Sequence, residues 1–320
     1  MNDSRESGLL ARLRCVECEA GELRLESQDC RCGRCGAVFP LYAGRPLLIS
    51  RANRMFPIEE FGRPALRRRP RGESLRRFVP RPSVNLARRS ALHSLSDALA
   101  SDPAPAVLVV GAGRQRSQIG QMFRSAPGAT IYCCDIDIRS DADVFCDAHD
   151  LPFRDGMFDC IVITAVLQMV ADPATVVAEI ARLLRPGGYV YSEISLLQHV
   201  TEGAYDFCRF TLSGHKVLFQ DFQEIQSGLV AGPATVLVWA IEQTAVCLIP
   251  AARFHPFVRA AVRFCCAWFK YLDLVLQYNP ASLDGASCTY LIGRKPARQQ
   301  TAPADVARLY VGSRPLSHIQ

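Results

Sequence analysis

The sequence predicts an open α/β fold in which a mostly parallel sheet is covered by helices on both faces. Helical patterns alternate with strand-length apolar runs, as is typical of parallel sheets; the runs lie at 107–110, 130–134, 143–146, 160–164 and 189–194. Five cysteines gathered between Cys15 and Cys35 indicate a small module before the sheet. An apolar stretch that starts at residue 226 predicts a helical region that follows the sheet in sequence.

Length and composition agree with this architecture. With 320 residues and 49% hydrophobic content, the chain can bury one large core and a smaller module. The 14 cysteines do not indicate a disulfide-rich secreted protein, because those outside the N-terminal group are scattered through apolar runs. The sequence starts with polar residues rather than with an apolar signal segment. We therefore expect reduced thiols, one metal site and a cytoplasmic protein, with peripheral attachment to the inner membrane face as an open alternative.

The cysteine group has the spacing of a structural zinc site. Four thiolates suit tetrahedral zinc and leave no open coordination position. Gly33 and Gly36 lie where the second pair of cysteines must turn tightly, which favours Cys32 and Cys35 over Cys30. Whether Cys30 participates stays open. This segment resembles the zinc-ribbon modules similar to Trm112-like proteins, and we assign it to residues 1–50. The candidate metal ligands are Cys15, Cys18, Cys32 and Cys35.

A basic, proline-containing segment follows and is assigned as a linker over 51–83. Between Arg63 and Arg89 the sequence carries ten arginines, four prolines and one acid. A solvated linker is one interpretation, and attraction to an anionic membrane surface or to nucleic acid are the others. Because Phe78 is the only aromatic residue of this run, stacking on single-stranded RNA receives little support.

The turn after the first strand indicates the kind of cofactor. Gly111 and Gly113 lie where open α/β sheets bind their ligands. A dinucleotide site would need a third small residue at position 116, where this sequence has Arg116. This argues against NAD or FAD and is compatible with S-adenosylmethionine, a cofactor that has no phosphate.

Two acids are the central cofactor contacts of this prediction. Asp135 follows the second strand and is expected to accept hydrogen bonds from both ribose hydroxyls, with Asp137 as the weaker candidate. Asp147 follows the third strand and is placed to accept from the adenine amino group. The backbone at Thr164 and Ala165 would line the methionine end. The candidate cofactor residues are Gly111, Ala112, Gly113, Asp135, Ile136, Asp147, Ala148 and Thr164.

These features resemble the class I S-adenosylmethionine-dependent methyltransferases of the type-11 methyltransferase-domain group, which have a Rossmann-like fold. The family's LPF-to-FD phrase spans 147–159 and its R-x-L-x-P-G-G phrase spans 182–188. The resemblance covers most of the predicted domain, residues 84–225. The sequence departs from the family pattern at Val109, where an acid is usual, and at 167–169, where Leu-Glu-His is usual.

The segment after the fifth strand supplies candidate acceptor residues. His199 is the candidate base for a hydroxyl acceptor, and Tyr205, Asp206 and Arg209 are candidate acceptor-pocket residues. The segment resembles an H-x-x-P-Y-D-F-x-R-F-T phrase of bacterial methyltransferases found with polysaccharide and lipid-glycan synthesis. In an equally open alternative, Asp206 and Arg209 form an ion pair that orders a lid.

The region 226–295 is predicted to be apolar and mainly helical, and the polar tail at 296–320 is expected to be disordered. Glycines and prolines make the region a poor transmembrane span. A helix over 256–276 would be apolar around nearly its whole circumference, so it would be buried between domains, pair with another subunit or lie in a membrane interface. Its charged residues fall in one narrow stripe, namely Arg259, Arg263, Lys270 and Asp273.

The predicted function is transfer of a methyl group from S-adenosylmethionine to oxygen of a small-molecule, glycan or lipid-linked acceptor. Because the sulfonium already activates the methyl group, such an enzyme mainly aligns its reactants. The first alternative is an rRNA or tRNA methyltransferase whose zinc ribbon recognises the substrate, which the arginine run favours. The second is a non-catalytic adaptor that retains the fold, which the departures from the family pattern favour.

Overall fold

The computed structural model describes residues 3–58, 61, 79–201, 203–296, 310, 312 and 313. Most of the arginine-rich linker and nearly all of the predicted polar tail therefore lie outside the described residues.

The strands and the helices are each numbered in chain order. The strands are β1 (Leu23–Leu25), β2 (Asp29–Cys32), β3 (Val38–Tyr42), β4 (Arg45–Pro46), β5 (Ala106–Val110), β6 (Thr130–Asp135), β7 (Val144–Phe145), β8 (Phe158–Thr164), β9 (Leu184–Ser195), β10 (Gln223–Ala231) and β11 (Cys288–Arg294). The α-helices are α1 (Asp3–Arg12), α2 (Arg88–Leu99), α3 (Arg116–Met122), α4 (Pro173–Leu183), α5 (Leu212–Leu218), α6 (Pro233–Cys247), α7 (His255–Cys266), α8 (Asp273–Leu276) and α9 (Ala281–Asp284). Single 3₁₀ turns lie at Gly203–Tyr205 and Ala252–Phe254, and a longer one at Ala267–Leu272.

A seven-stranded sheet forms the centre of the described chain, in the order β10-β11-β9-β8-β5-β6-β7. The pairs from β9 to β7 are parallel, and β11 runs antiparallel to both of its neighbours. Every residue of β5 and β8 is buried, because parallel strands with helices on both faces have no solvent side. The predicted α/β class is confirmed; four of the five predicted apolar runs lie within strands of this sheet, and the run at 143–146 extends one residue beyond each end of β7.

Helix α4 illustrates how local sequence sets an element. The Asp172 side chain caps the helix by accepting from the amides of Ala174 and Thr175, and Pro173 occupies the first turn. The apolar stripe of the helix is buried, at Val176, Val177, Ile180 and Leu183. The chain then enters β9 at once, at Leu184.

The N-terminal ribbon is joined firmly to the central sheet. The Leu48 amide donates to the Phe145 carbonyl (2.8 Å), so the ribbon continues the sheet beyond β7. On its other side the Arg14 amide donates to Pro152 (2.9 Å), and the Arg14 guanidinium pairs with Asp150 (2.9 Å). Apolar side chains of the ribbon and of the central domain belong to one buried cluster. The two parts therefore share a core.

The C-terminal region differs from its predicted organisation. The predicted boundary at 226 cuts through β10, and β11 returns to the sheet at 288. Between these strands, α6 to α9 form a helical unit over 233–284. The helix predicted over 256–276, for which burial between domains was one of three alternatives, is divided into α7, a 3₁₀ turn and α8, and none of the residues of α7 is buried. Among the described residues, no helix is long and apolar enough to cross a bilayer.

Candidate functional site

The four predicted metal ligands lie together in the ribbon. Their Sγ atoms are all within 4.8 Å of one another. The Sγ atoms of Cys15 and Cys35 are 3.7 Å apart, as are those of Cys18 and Cys32. Tetrahedral zinc with bonds of about 2.3 Å separates its thiolates by about 3.8 Å. The donor set therefore fits zinc and leaves no position for a substrate.

Backbone groups around the cluster support this fit. The Glu17 amide points at Cys15 Sγ and the Arg34 amide at Cys32 Sγ, each at 3.4 Å. A Cβ atom at Gly21 would lie 2.0 Å from Cys32 Sγ, so only glycine leaves room for the cluster. Among the described residues, Cys30 is not part of the group; its thiol is buried, which raises its pKa to about 11.

A cavity of about 420 Å³ lies at the carboxyl ends of the central strands. The turn after β5 forms one side, with Gly111 at φ +70° and Gly113 at φ +50°. A Cβ atom at Gly111 would lie 2.1 Å from Val166 Cγ2, so the close approach of these two loops requires glycine. Arg116 is turned away to an ion pair with the buried Asp143.

Asp135, at the end of β6, is held in place by backbone amides. Its carboxylate accepts from Gly113 (2.7 Å) and from Asp137 (2.9 Å), while burial raises its pKa. Asp137 also lines the cavity, but its carboxylate pairs with Arg139 (2.8 Å) and is half exposed. The two acids therefore differ, with Asp135 the one fixed inside the site.

Asp147 is buried and is fixed by two side chains. The Asn53 amide donates to Oδ2 (2.7 Å), and the His149 ring and amide bind Oδ1 (2.7 and 3.0 Å). Burial alone would raise the pKa of Asp147, but these hydrogen bonds lower it below its ordinary value. The second ring nitrogen of His149 accepts from the Asp172 amide (3.2 Å), so both nitrogens are engaged. Asn53 was not predicted, because it lies outside any motif.

Aromatic side chains from two distant segments cover the cavity. Met55 and Phe56 come from residues 50–58, here called the strap; the sequence assigns nearly all of this segment to the linker, but it packs against the cavity. Phe207 comes from the other side, and Phe56 stacks on Tyr205 with ring centroids 5.7 Å apart. Neither Met55 nor Phe56 was predicted as a site residue.

The deep wall of the cavity is formed by the loop after β8. It contains Thr164, Ala165 at φ +58°, Val166 and Met169. The carbonyl of Gln168 accepts from the Phe207 amide (2.8 Å), which anchors the covering segment to this wall. Of the departures from the family pattern, Met169 lines the cavity and Gln168 anchors its cover, whereas Val109 is buried within β5 and is not among the lining residues.

Two of the predicted acceptor residues pair with each other. Asp206 and Arg209 form an ion pair, and Arg209 also donates to the carbonyls of Gln198 (3.0 Å) and His199 (3.3 Å). The His199 ring packs edge-on against Trp239 of α6, at 4.7 Å between centroids, and is not among the cavity-lining residues. Its partial burial lowers its pKa. The structure does not bring His199 to the cavity, because its ring packs against α6 instead.

The central domain has a Rossmann-like methyltransferase fold. Residues 108–192 match the family model described as a methyltransferase domain. The uncharacterized 37.1 kDa protein in transposon TN4556 of Streptomyces fradiae is 57% identical over 42 residues, which cover 13% of this chain and 12% of that protein. The ubiquinone/menaquinone biosynthesis C-methyltransferase UbiE of Saccharophagus degradans is 41% identical over 68 residues, covering 21% of this chain and 27% of that enzyme. The chain thus spans 12% to 27% of the length of these curated relatives.

Solved structures overlap a larger part of the chain at lower identity. A chain from the complex that contains the Haloferax volcanii Trm112 methyltransferase activator is 20% identical, covers 65% of this chain and 94% of its own length, and has a TM-score of 0.40. The phosphoethanolamine N-methyltransferase 2 of Haemonchus contortus, solved with S-adenosylhomocysteine, is 16% identical over 63% of this chain and 52% of its own, with a TM-score of 0.41.

Proposed function

We propose that this chain is an S-adenosylmethionine-dependent methyltransferase that acts on a small-molecule, glycan or lipid-linked acceptor. The observation that carries the proposal is the convergence of Asp135 and Asp147 on one cavity beside the glycine turn. Their strands, β6 and β7, are parallel neighbours, so both acids reach the same edge of the sheet. The cavity of about 420 Å³ is large enough to hold S-adenosylmethionine.

The roles of the residues follow from their partners. Bound S-adenosylmethionine supplies a methyl group on a sulfonium. Asp135, oriented by two amides, would accept from the ribose hydroxyls. Asp147, oriented by Asn53 and His149, would accept from the adenine amino group. The aromatic cover excludes water, and the ribbon zinc is structural. The main work of these residues is binding and alignment.

We propose that methyl transfer to the acceptor atom needs no histidine as general base. Oxygen-directed transfer was predicted with His199 as the base, and the His199 ring lies against Trp239 instead. His149 lies at the cavity, but both of its ring nitrogens already have partners. The groups beside the methionine end, Val166 and Met169, are apolar. An electron-rich carbon of an apolar acceptor suits this wall better than a hydroxyl does, and the named activity of the UbiE relatives agrees with it.

Binding of the cofactor tests the first part of the proposal. We expect Asp135→Asn to weaken S-adenosylmethionine binding at least about tenfold, because two hydrogen bonds lose a charged acceptor. Asp137→Asn is the matched control and should bind as the unchanged chain does. Isothermal calorimetry measures both, and equal affinities for the two variants would sink the cofactor assignment.

The acceptor class is tested with methyl-labelled S-adenosylmethionine. The protein is incubated with the lipid, glycan and RNA fractions of a cell extract, and label should be found in material that organic solvent extracts. Label in RNA alone would overturn the proposed acceptor class and leave the methyltransferase assignment standing.

A further inference from the structure

The outer side of the helical unit is unusually apolar. Large side chains of α7, α8 and the 3₁₀ turn between them point outward, with Phe257 73%, Val275 71% and Tyr278 83% exposed. Scattered exposed apolar residues are normal on a protein surface, but large ones that recur every three, four or seven residues along one segment indicate an interaction site. We call this group the apolar face; its residues are Phe257, Phe264, Trp268, Tyr271, Val275 and Tyr278.

The charged residues of the same helices point inward. Arg263 donates to Glu242 of α6 through Nε (2.7 Å) and Nη2 (3.0 Å), and Arg259 lies 3.3 Å from the same carboxylate. Glu242 is completely buried. An ordinary surface helix has the opposite arrangement, with apolar side chains inward and charges in water.

Asp273 is the second buried charge that supports this arrangement. Its carboxylate accepts from the amides of Gly232 (3.0 Å), Ala234 (2.9 Å) and Thr235 (3.1 Å), and so caps the first turn of α6. Three members of the predicted charged stripe, Arg259, Arg263 and Asp273, therefore hold the unit together from inside, whereas the fourth, Lys270, donates to the carbonyl of Arg81 (2.7 Å). The inside of the unit is ionic and its outside is aromatic.

We infer that the apolar face binds the interfacial region of an anionic lipid bilayer. The surroundings of the face have the charge that such a surface attracts, because Asp273 is the only acid between Gln243 and Leu283 and it is buried. Arg253, four residues before Phe257, is exposed, and the ammonium of Lys270 lies over the Tyr271 ring while it donates to the carbonyl of Arg81 (2.7 Å). Exposed tryptophan and tyrosine suit the headgroup boundary. The same face of a second copy would bring the same cations and no exposed acid, so it is the less complementary occupant.

The helical unit that carries the face adjoins the segment that covers the cavity, and its part in acceptor delivery rests on the proposed function. His199 contacts Trp239 of α6, and the carbonyl of His199 accepts from Arg209. Arg209 is two residues from Phe207, which lines the cavity. One short segment therefore links the cavity to the helical unit, so that an acceptor held in a bilayer would be delivered close to this segment.

Vesicle binding by the full chain tests the inference. We expect sedimentation with phosphatidylcholine vesicles that contain phosphatidylglycerol, and much weaker binding to phosphatidylcholine alone. Combined Phe257→Ser, Trp268→Ser and Val275→Ser should reduce binding at least about tenfold, because three apolar anchors are removed. The control removes three exposed apolar residues from elsewhere, by Val38→Ser, Met157→Ser and Ile225→Ser, and should bind as the unchanged chain does.

Tryptophan fluorescence adds a direct readout, since the chain has two tryptophans. Anionic vesicles should shift the emission of the Trp239→Phe variant to the blue and leave that of Trp268→Phe unchanged. Unchanged S-adenosylmethionine binding by the triple variant shows that it is folded, independently of lipid.

Several outcomes would overturn the inference. One is the absence of vesicle binding by the full chain, and another is equal binding by the triple variant. Equal affinity for neutral and anionic vesicles would remove the anionic surface as the partner. A dimer in analytical ultracentrifugation that the triple variant dissociates, with no lipid binding, would assign the face to a second copy.

Discussion

At the residue scale, the pair of Asp147 and His149 links the site to pH. The hydrogen bond to Asp147 raises the pKa of His149 above its ordinary 6.5, and the pKa of Asp147 lies below its ordinary 3.8. A histidine whose pKa is raised in the folded state stabilises the fold at pH values below its pKa in the unfolded chain, and that contribution is lost as the pH rises through the pKa of the folded state. An aspartate whose pKa is lowered in the folded state stabilises the fold at pH values above its pKa in the unfolded chain. The pair therefore contributes most between about pH 4 and about pH 6.5.

Replacement of His149 should accordingly have a pH-dependent cost. We expect His149→Asn to lower the free energy of unfolding by about 1 kcal/mol more at about pH 5.5 than at about pH 8.5, because the charged hydrogen bond exists only at the lower pH. Urea denaturation at both pH values measures the difference. His93→Asn on α2 is the control for loss of a histidine elsewhere. An equal cost of His149→Asn at both pH values would contradict the assignment of the pair.

The two glycines of the cofactor turn should respond differently to alanine. Gly111→Ala should cost about 2 kcal/mol or more, since its Cβ atom would lie 2.1 Å from Val166 Cγ2 and its φ is +70°. Gly113→Ala has φ +50° but nothing within 4 Å of its Cβ, so a cost of about 1 kcal/mol is expected. Adding Val166→Ala should recover part of the loss for Gly111→Ala only. Thermal unfolding distinguishes these cases, and identical costs without recovery would count against the close approach of the two loops.

At the scale of elements, the strap connects the metal cluster to the cofactor cavity. Glu17, between the first two cysteines, accepts from the Arg51 amide (2.7 Å). Two residues further on, Asn53 holds Asp147, and its side chain also accepts from the amides of Met55 (2.9 Å) and Phe56 (2.8 Å). The path from the first knuckle to the cavity is therefore a short run of backbone fixed at both ends.

Loss of the metal should weaken cofactor binding. We expect chelation, or Cys32→Ser, to lower the affinity for S-adenosylmethionine about tenfold, because Asn53 and Phe56 lose their fixed position. Cys30→Ser removes a neighbouring thiol outside the cluster and should change neither metal content nor affinity. Calorimetry and zinc analysis measure the two effects together. A metal-free chain that stays folded and binds the cofactor unchanged would show that the strap is independent of the cluster.

The elements also show why some site residues could be predicted and others could not. Asp135 and Asp147 follow apolar runs that had to be strands, so topology alone places them at one edge of the sheet. Asn53 reaches Asp147 from a segment 94 residues away in sequence, and no local pattern encodes that contact. For α7, the helical period predicts one charged stripe, but which side faces inward depends on Glu242 of another helix.

At the scale of the whole molecule, the shared core makes the ribbon and the sheet one folding unit. Leu13 and Phe39 of the N-terminal module belong to the same buried cluster as Phe153 and Phe158 of the central domain. Neither part can lose its packing without exposing apolar surface of the other.

One cooperative transition is therefore expected in thermal unfolding. Zinc removal should lower the midpoint of that transition by several degrees rather than separate an early ribbon transition from a later one. Differential scanning calorimetry of the zinc-loaded and chelated chain measures this. Two resolved transitions in the loaded chain would show that the ribbon folds on its own.

The helical unit leaves and re-enters the sheet at a single point. Ala231 at the end of β10 pairs with Cys288 at the start of β11, and the Ser287 amide donates to the Ala231 carbonyl (2.8 Å). The unit is thus an insertion at the tip of a hairpin, and the ladder between β10 and β11 is the same whatever chain joins them. An insertion at this position can be gained, exchanged or lost in evolution without a change in strand order or in the edge of the sheet at which the cavity lies. Relatives with a short turn at this position are expected to keep the same sheet and to differ in where in the cell they meet their acceptors.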